Sequence, residues 1–257
     1  VGKVTEDKEQ QGKRVQDYMN YLLTEEMKEY RNETENMLFS LPLAGSAFKK
    51  IYYDVNMQRP CSMFIPAEDF VVSYGAADLR TAARATHVMR MTLNEILKLQ
   101  YAGFYREVSL PQSSIGADRI RAKYAELAGD NPNYEYDVNS YSKNGMHTLL
   151  EMHVDLDLVG FEDERNGNKT GIALPYVVTI DQGSGEVLSI RRNYLESDPM
   201  KERRQHFVHY KYMPGLGFYG FGLIHMVGGL AKSATSLLRQ LVDSGTLANL
   251  PGGLKTR

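Results

Sequence analysis

The chain has 257 residues, 42% hydrophobic and 24% charged, with a formal net charge of −2. That length suffices for one large domain or two small ones around a real core, and the charge argues against a protein that wraps nucleic acid in a basic surface. A single cysteine, Cys61, excludes an intrachain disulfide and a cysteine-rich zinc site, and a mean hydropathy of −0.41 is that of a soluble composition.

The opening, VGKVTEDKEQQGKR, is polar and carries neither a signal peptide nor an initiator Met, and GGLKTR ends in loop-like sequence; both ends predict a piece of a longer chain. Residues ~6–38 read as one long amphipathic helix, because Val15, Tyr18, Leu22, Tyr30 and Met37 fall near helical spacing, with Pro42 and Gly45 as its stop. IYYDV (51–55) reads as a strand, and MFIPAEDFVVSYG (63–75) as a strand or extended ledge fixed by Pro66. Residues 76–92 alternate Arg with small apolar residues. Thr92 with Glu95 three positions on is a capping-box pattern, predicting a helix over ~93–104, and a short helix is expected at ~117–128.

The middle changes character. Leu150, Met152, Val154, Leu156 and Leu158 alternate with Glu151, His153, Asp155 and Asp157, the pattern of a half-buried strand with a solvated polar face. With His147, those polar residues could be taken for a metal site. Same-face strand residues stand parallel, about 7 Å apart, and do not converge on an ion unaided, so no metal is assigned. GIALPYVVTI (171–180) and VLSIRRNY (187–194), joined by DQGSGE, read as a hairpin, and RRQHFVHYKYM (203–213) as a further strand, with His206 and His209 on opposite sides. Helices first and strands after predict an α+β fold with an antiparallel sheet.

The last part is Gly-rich and apolar, PGLGFYGFGLIHMVGG (214–229), and runs into LAKSATSLLRQLVD. Leu223, Val227, Leu230, Ala234, Leu237 and Leu241 recur in steps of four and three, a coiled-coil-like seam that Leu238 and Val242 widen. A helix over ~221–243, ended by Gly245 and Pro251, would be about 35 Å long. GLGFYG (215–220) matches the dinucleotide-binding G-x-G-x-x-G, but Pro214 breaks the strand entry, Phe218 and Tyr219 crowd the phosphate position, and too little chain follows. GGLAKS (228–233) is not a P-loop, since Ala231 and Met226 stand where glycines are required. The uncharged run 214–231 approaches the length of a membrane span, against which stand His225 and the density of glycine. No catalytic arrangement and no cofactor site has a local signature, so no enzyme activity is assigned.

Three segments together resemble portal proteins of tailed phages, podovirus-like ones in particular. In PCSMFIPAEDFVVSYGAADLRTAARATHVMRMTLNEI (60–96) the ledge Pro66-Ala67-Glu68-Asp69-Phe70 is followed by Asp78 and Arg80, then Arg90, Asn94 and Glu95. The block 147–194 is similar to the portal segment that ends in a valine-rich hairpin. The most specific is 206–253, with Tyr219-Gly220-Phe221-Gly222, Leu237-Leu238-Arg239, Asp243, and Asn249 to Pro251. The resemblance implies a ring subunit, typically of a dodecamer, at one capsid vertex of the virion and assembled in the host cytoplasm, through which double-stranded DNA is packaged and ejected. It implies terminase, capsid or scaffold, and tail adaptor proteins as partners. It assigns 1–213 to the wing, 214–245 to a Gly-rich turn and stem helix, and 246–257 to the start of an incomplete clip. The turn before the stem is then Gly217, Tyr219, Gly220 and Gly222. The subunit interface is Leu223, Val227, Leu230, Ala234, Leu237 and Leu241. The opposite face, with Lys232, Ser236 and Arg239, either meets DNA or pairs with acidic residues of adjacent subunits. Ser233 and Gln240 share that polar side.

Overall fold

The computed structural model describes residues 5–54, 57–111, 146–165, 168–249 and 252. The chain opens with helix α1 (Glu6–Tyr21), a wide π-type turn (Leu22–Glu26) and helix α2 (Tyr30–Ala44). The single long helix expected from the periodicity is therefore broken. Met27 leaves helical geometry at φ −93°, ψ 68°, its N–H closing the wide turn on Leu22 O (2.8 Å). Pro42 does not stop α2 either; it lies inside the last turn, and the stop is Gly45 alone, left-handed at φ 85° with its N–H on Leu41 O.

Strand β1 (Ser46–Asp54) lies between β10 (Phe207–Lys211) and β2 (Arg59–Pro66) in a three-stranded sheet. After a 3-10 turn (Ala67–Asp69), β3 (Phe70–Val72) begins a five-stranded sheet of order β3-β4-β5-β8-β9. Its other members are β4 (Arg84–Thr92), β5 (Met146–Leu156), β8 (Leu174–Asp181) and β9 (Val187–Arg192). Strands β6 (Glu164–Arg165) and β7 (Asn168–Lys169) form a small ribbon. Every pairing among the described residues is antiparallel, and with four helices the fold is α+β, as the order of patterns predicts. The short helix expected at ~117–128 lies outside the described residues.

The capping box forms as read: Glu95 N–H donates to Thr92 Oγ1, and Thr92 N–H donates to the Glu95 carboxylate (2.8 Å), starting α3 (Leu93–Tyr101). Helix α3 buries Ile96 against Leu149 and Leu188 on one face of the larger sheet. A second cluster, Phe48, Ile65, Phe70, Ala85, Phe207 and Phe218, fills the space between the two sheets.

Strand β5 corrects the sequence reading. The polar face is solvated only at its far end, where Asp155 and Asp157 are exposed. His147, Leu149, Glu151 and His153 are the buried positions, and Leu150, Met152 and Val154 are only half-buried. A buried carboxylate is tolerated only with a counter-charge and hydrogen bonds, and β1 supplies them: Lys50 Nζ donates to Glu151 at 2.7 Å. His153 Nε2 meets Glu151 Oε1 at 3.2 Å, and Asn193 bridges His153 (3.4 Å) to His206 (3.1 Å). At the other end of the strand, His147 Nδ1 lies 3.3 Å from Asp181 Oδ1, which belongs to the hairpin. Asp155 is taken by Arg203 (2.8 Å). These residues are claimed by cations and by one another, and no group of three or more metal-ligating side chains converges among the described residues.

Candidate functional site

The last helix, α4 (Leu223–Asn249), has 27 residues and buries none of them. At 1.5 Å per residue it is a rod about 40 Å long. It passes through Gly245, where the sequence predicted an end, and continues to Asn249.

The segment 214–222 anchors this rod to the body. Phe221 pairs with Met213 as an isolated bridge, its N–H on Met213 O at 2.9 Å. Gly220 N–H donates to Ser46 Oγ (2.8 Å), and Tyr219 Oη donates to Phe70 O (2.8 Å). Phe218 is buried and stacks on His209, which stacks in turn on Phe48 at 4.4 Å. Burial pushes the His209 imidazole down to about 4, so it packs as a neutral ring. Gly222 O accepts from His225 N–H (3.1 Å), and Gly222 N–H donates to His225 Nδ1 (3.2 Å), which closes the entry to the helix.

Glycine is required here for backbone contact. A Cβ on Gly222 would sit within 3.0 Å of Leu43 O, Gly45 N and Ala44 C; one on Gly220 would meet Gly45 O at 2.5 Å and Met213 O at 2.6 Å. Of the turn residues read from sequence, Tyr219, Gly220 and Gly222 hold the anchor. Gly217 does not, since a side chain there meets nothing within 4 Å. Sequence reasoning missed Gly45, Ser46 and Phe218. Gly45 and Ser46 lie more than 160 residues from the turn, and only a Gly–Ser pair directly after a helix hinted at a crowded corner.

The corner also bears on two other readings of this segment. The G-x-G-x-x-G stretch lies between an antiparallel strand and a helix, its Gly220 amide is already given to Ser46, and Phe218 fills the space. The run 214–231 is divided between the packed turn and the rod, and no helix among the described residues is long and apolar enough to cross a membrane.

Along α4 the seam Leu223, Val227, Leu230, Ala234, Leu237 and Leu241 shares one face, and every member is exposed, from 42% at Leu223 to 72% at Leu230. Helix α2 meets the base of α4, and Leu43, Ala44 and the capping Gly45 lie against Gly222 just before the rod. Lys232, Ser236 and Arg239 lie on the opposite face by helical arithmetic, together with Asp243. Lys232, Arg239 and Asp243 make no ion pair with any described residue.

A rod of this kind on an antiparallel α+β body fits a phage portal protein, the class to which comparison with known families assigns the chain. Residues 2–253 match the Phage SU10 portal protein family, and the chain belongs to that family. It is thereby a virion component of a structural family. No curated protein matches it.

Proposed function

We propose that the chain is a ring subunit that forms the channel at one capsid vertex, through which viral DNA is packaged and ejected and to which the tail is joined. In this reading residues 1–213 are the wing, 214–245 the turn and stem helix, with the helix itself running on to Asn249, and 246–257 the start of the clip. Twelve copies close the ring, and terminase, capsid or scaffold, and tail adaptor proteins dock on it.

The observation that carries the reading is that α4 bears a continuous apolar seam in which every residue is exposed, the described residues meeting the rod only at its base through α2. Apolar side chains at 42–72% exposure along such a rod are stable in water only against neighbours, and contiguous apolar surface of this extent marks an interaction site. Identical neighbours in a closed ring cover every seam equally. The polar face then meets the lumen. One Lys and one Arg per subunit, Lys232 and Arg239, keep phosphate contacts sparse, as translocation requires, because affinity climbs with each phosphate neutralised. Ser236 offers a neutral hydroxyl between them.

The test is Leu230→Gln with Leu237→Gln. The pair is expected to abolish rings in native mass measurement while circular dichroism of the body stays unchanged. Rings that persist in the double variant would overturn the assignment of the seam.

A further inference from the structure

Strand β10 is an outer strand of the smaller sheet, with β1 as its one neighbour among the described strands. Tyr212 N–H donates to Gly45 O (3.0 Å) and Ile51 N–H donates to His206 O (2.8 Å), so the even-numbered residues turn their backbone groups toward β1. Phe207, His209 and Lys211 turn theirs outward. Gln205 Nε2 donates to Phe207 O at 3.1 Å, but no described group bonds the backbone N–H or C=O of His209 or Lys211 on that side. An open edge of this kind is a template for a further strand.

A groove of about 820 Å³ follows the edge. Arg204 through His209 line it in unbroken succession, and Lys211 after them. Neighbours along an extended chain point to opposite faces, so a groove that meets all of them runs beside the strand and not over one face. The loop at 78–80 lines it as well, and Asp78 fixes that loop by accepting from Arg80 N–H and Thr81 N–H at 2.8 Å each. Arg80 thereby joins Arg204 and Lys211 at the groove, and all three are exposed. None makes an ion pair with a described residue; Lys211 lies over the Phe218 ring, 6.0 Å from its centroid. Three cations against Asp78 leave the groove at +2. His206 and His209 add nothing near neutral pH, because burial lowers both. Exposed Ile51 and Tyr53 supply apolar surface. Charge that merely repels a stray strand is carried by the edge itself, whereas Arg80 is brought to this edge by a separate loop.

We propose that the groove takes an extended acidic segment of a partner protein, which adds to the sheet as a strand beside β10. Its backbone pairs with His209 and Lys211, and its carboxylates meet Arg80, Arg204 and Lys211. A single copy of the chain suffices for this contact, so its test is independent of the ring.

The experiment uses the full chain and synthetic peptides of about seven residues, the length that an extended chain needs to run from Arg204 to Lys211. One peptide alternates glutamate with valine and a second alternates lysine with valine; binding is read by fluorescence anisotropy. The acidic peptide is expected to bind at least about tenfold more tightly than the basic one. Its affinity should fall about tenfold or more with R80E, R204E and K211E together, circular dichroism verifying the fold, and about threefold with R80Q alone on the exposed loop. Strand addition is read separately. Amide exchange at His209 and Lys211 should slow about tenfold or more on binding, and the acidic peptide N-methylated at every residue, which keeps its charge but has no N–H to donate, should lose its affinity. Equal binding of the two peptides, affinity unmoved by R80Q and the triple variant, or binding without protection of His209 and Lys211 would overturn the proposal. So would duplex DNA that binds more tightly than the acidic peptide and is lost in the same triple variant, since the groove would then serve nucleic acid.

Discussion

Replacing Gly222 by alanine tests the anchor of α4 where its geometry is tightest. The new methyl would lie 2.5 Å from Gly45 N and 2.8 Å from Ala44 C, and Leu43 O is closer still. All three are backbone atoms at the end of α2, so no side chain can rotate away. Relief requires the two segments to part by about 1 Å, which would strain the neighbouring bonds Tyr212 N–H to Gly45 O (3.0 Å) and Gly220 N–H to Ser46 Oγ (2.8 Å). Overpacking of this kind costs about 1–3 kcal/mol, and each strained buried bond adds about 1 kcal/mol. A total of about 3–5 kcal/mol lowers the Tm of a chain this size by roughly 6–20 °C. The corner packs through Phe218 onto the cluster of Phe48 and Phe70, so its loss is felt in global unfolding. Thermal denaturation followed by circular dichroism reads the shift. Gly229→Ala is the control: nothing lies within 4 Å of its Cβ, and inside a helix the change is worth about 1 kcal/mol in favour of the variant. A Gly222→Ala protein as stable as the unaltered one, or a Gly229→Ala protein destabilised equally, would refute the steric account.

Two further outcomes follow from the buried polar groups on and around β5. Lys50→Met leaves Glu151, 11% exposed at its side chain, without its cation and is expected to cost about 3–5 kcal/mol. The double change Lys50→Met with Glu151→Met should regain most of that, and equal losses in the single and double variants in urea melts would show that the pair is not the cause. The second outcome concerns acid. Burial holds His87 at about 4 and lowers His206, so both stay neutral in the folded chain while the unfolded chain takes up protons near the ordinary value of 6.5. Stability is therefore fully present above about pH 6.5 and is lost as pH falls toward about 4, by about 3 kcal/mol for His87 alone. Burial raises the Glu151 carboxyl, but Lys50 and His153 outweigh it and hold it well below the carboxylate range, so its contribution is lost with the same sign at lower pH. Denaturation midpoints at pH 7, 5.5 and 4.5 should fall in that order, and His87→Phe should flatten the slope. A flat profile for the unaltered protein would contradict this assignment.

What the sequence made legible was local. Thr92 and Glu95 lie three residues apart, and the 174–192 hairpin carries its own turn; both formed as read. The α4 seam was legible for the same reason. The break at Met27 was not, because apolar spacing carries across a wide turn almost unchanged. Strand β4 gave no apolar alternation, since Arg84 and Arg90 stand on a strand whose neighbours β3 and β5 cover it. The burial of Glu151 and His153 on β5 was not legible, because the partner of Glu151, Lys50, is 101 residues away. The portal resemblance pointed to Tyr219, Gly220 and Gly222, but the surface they press on, Gly45 and Ser46, belongs to the far end of the chain.

The most direct measurement is the assembly state of the unaltered protein, by native mass together with electron-microscope images of the same sample. A closed ring of about twelve copies, with α4 rods packed seam to seam around a central channel, is the result the account predicts. A monomer or dimer without rings, across salt and concentration, would contradict it.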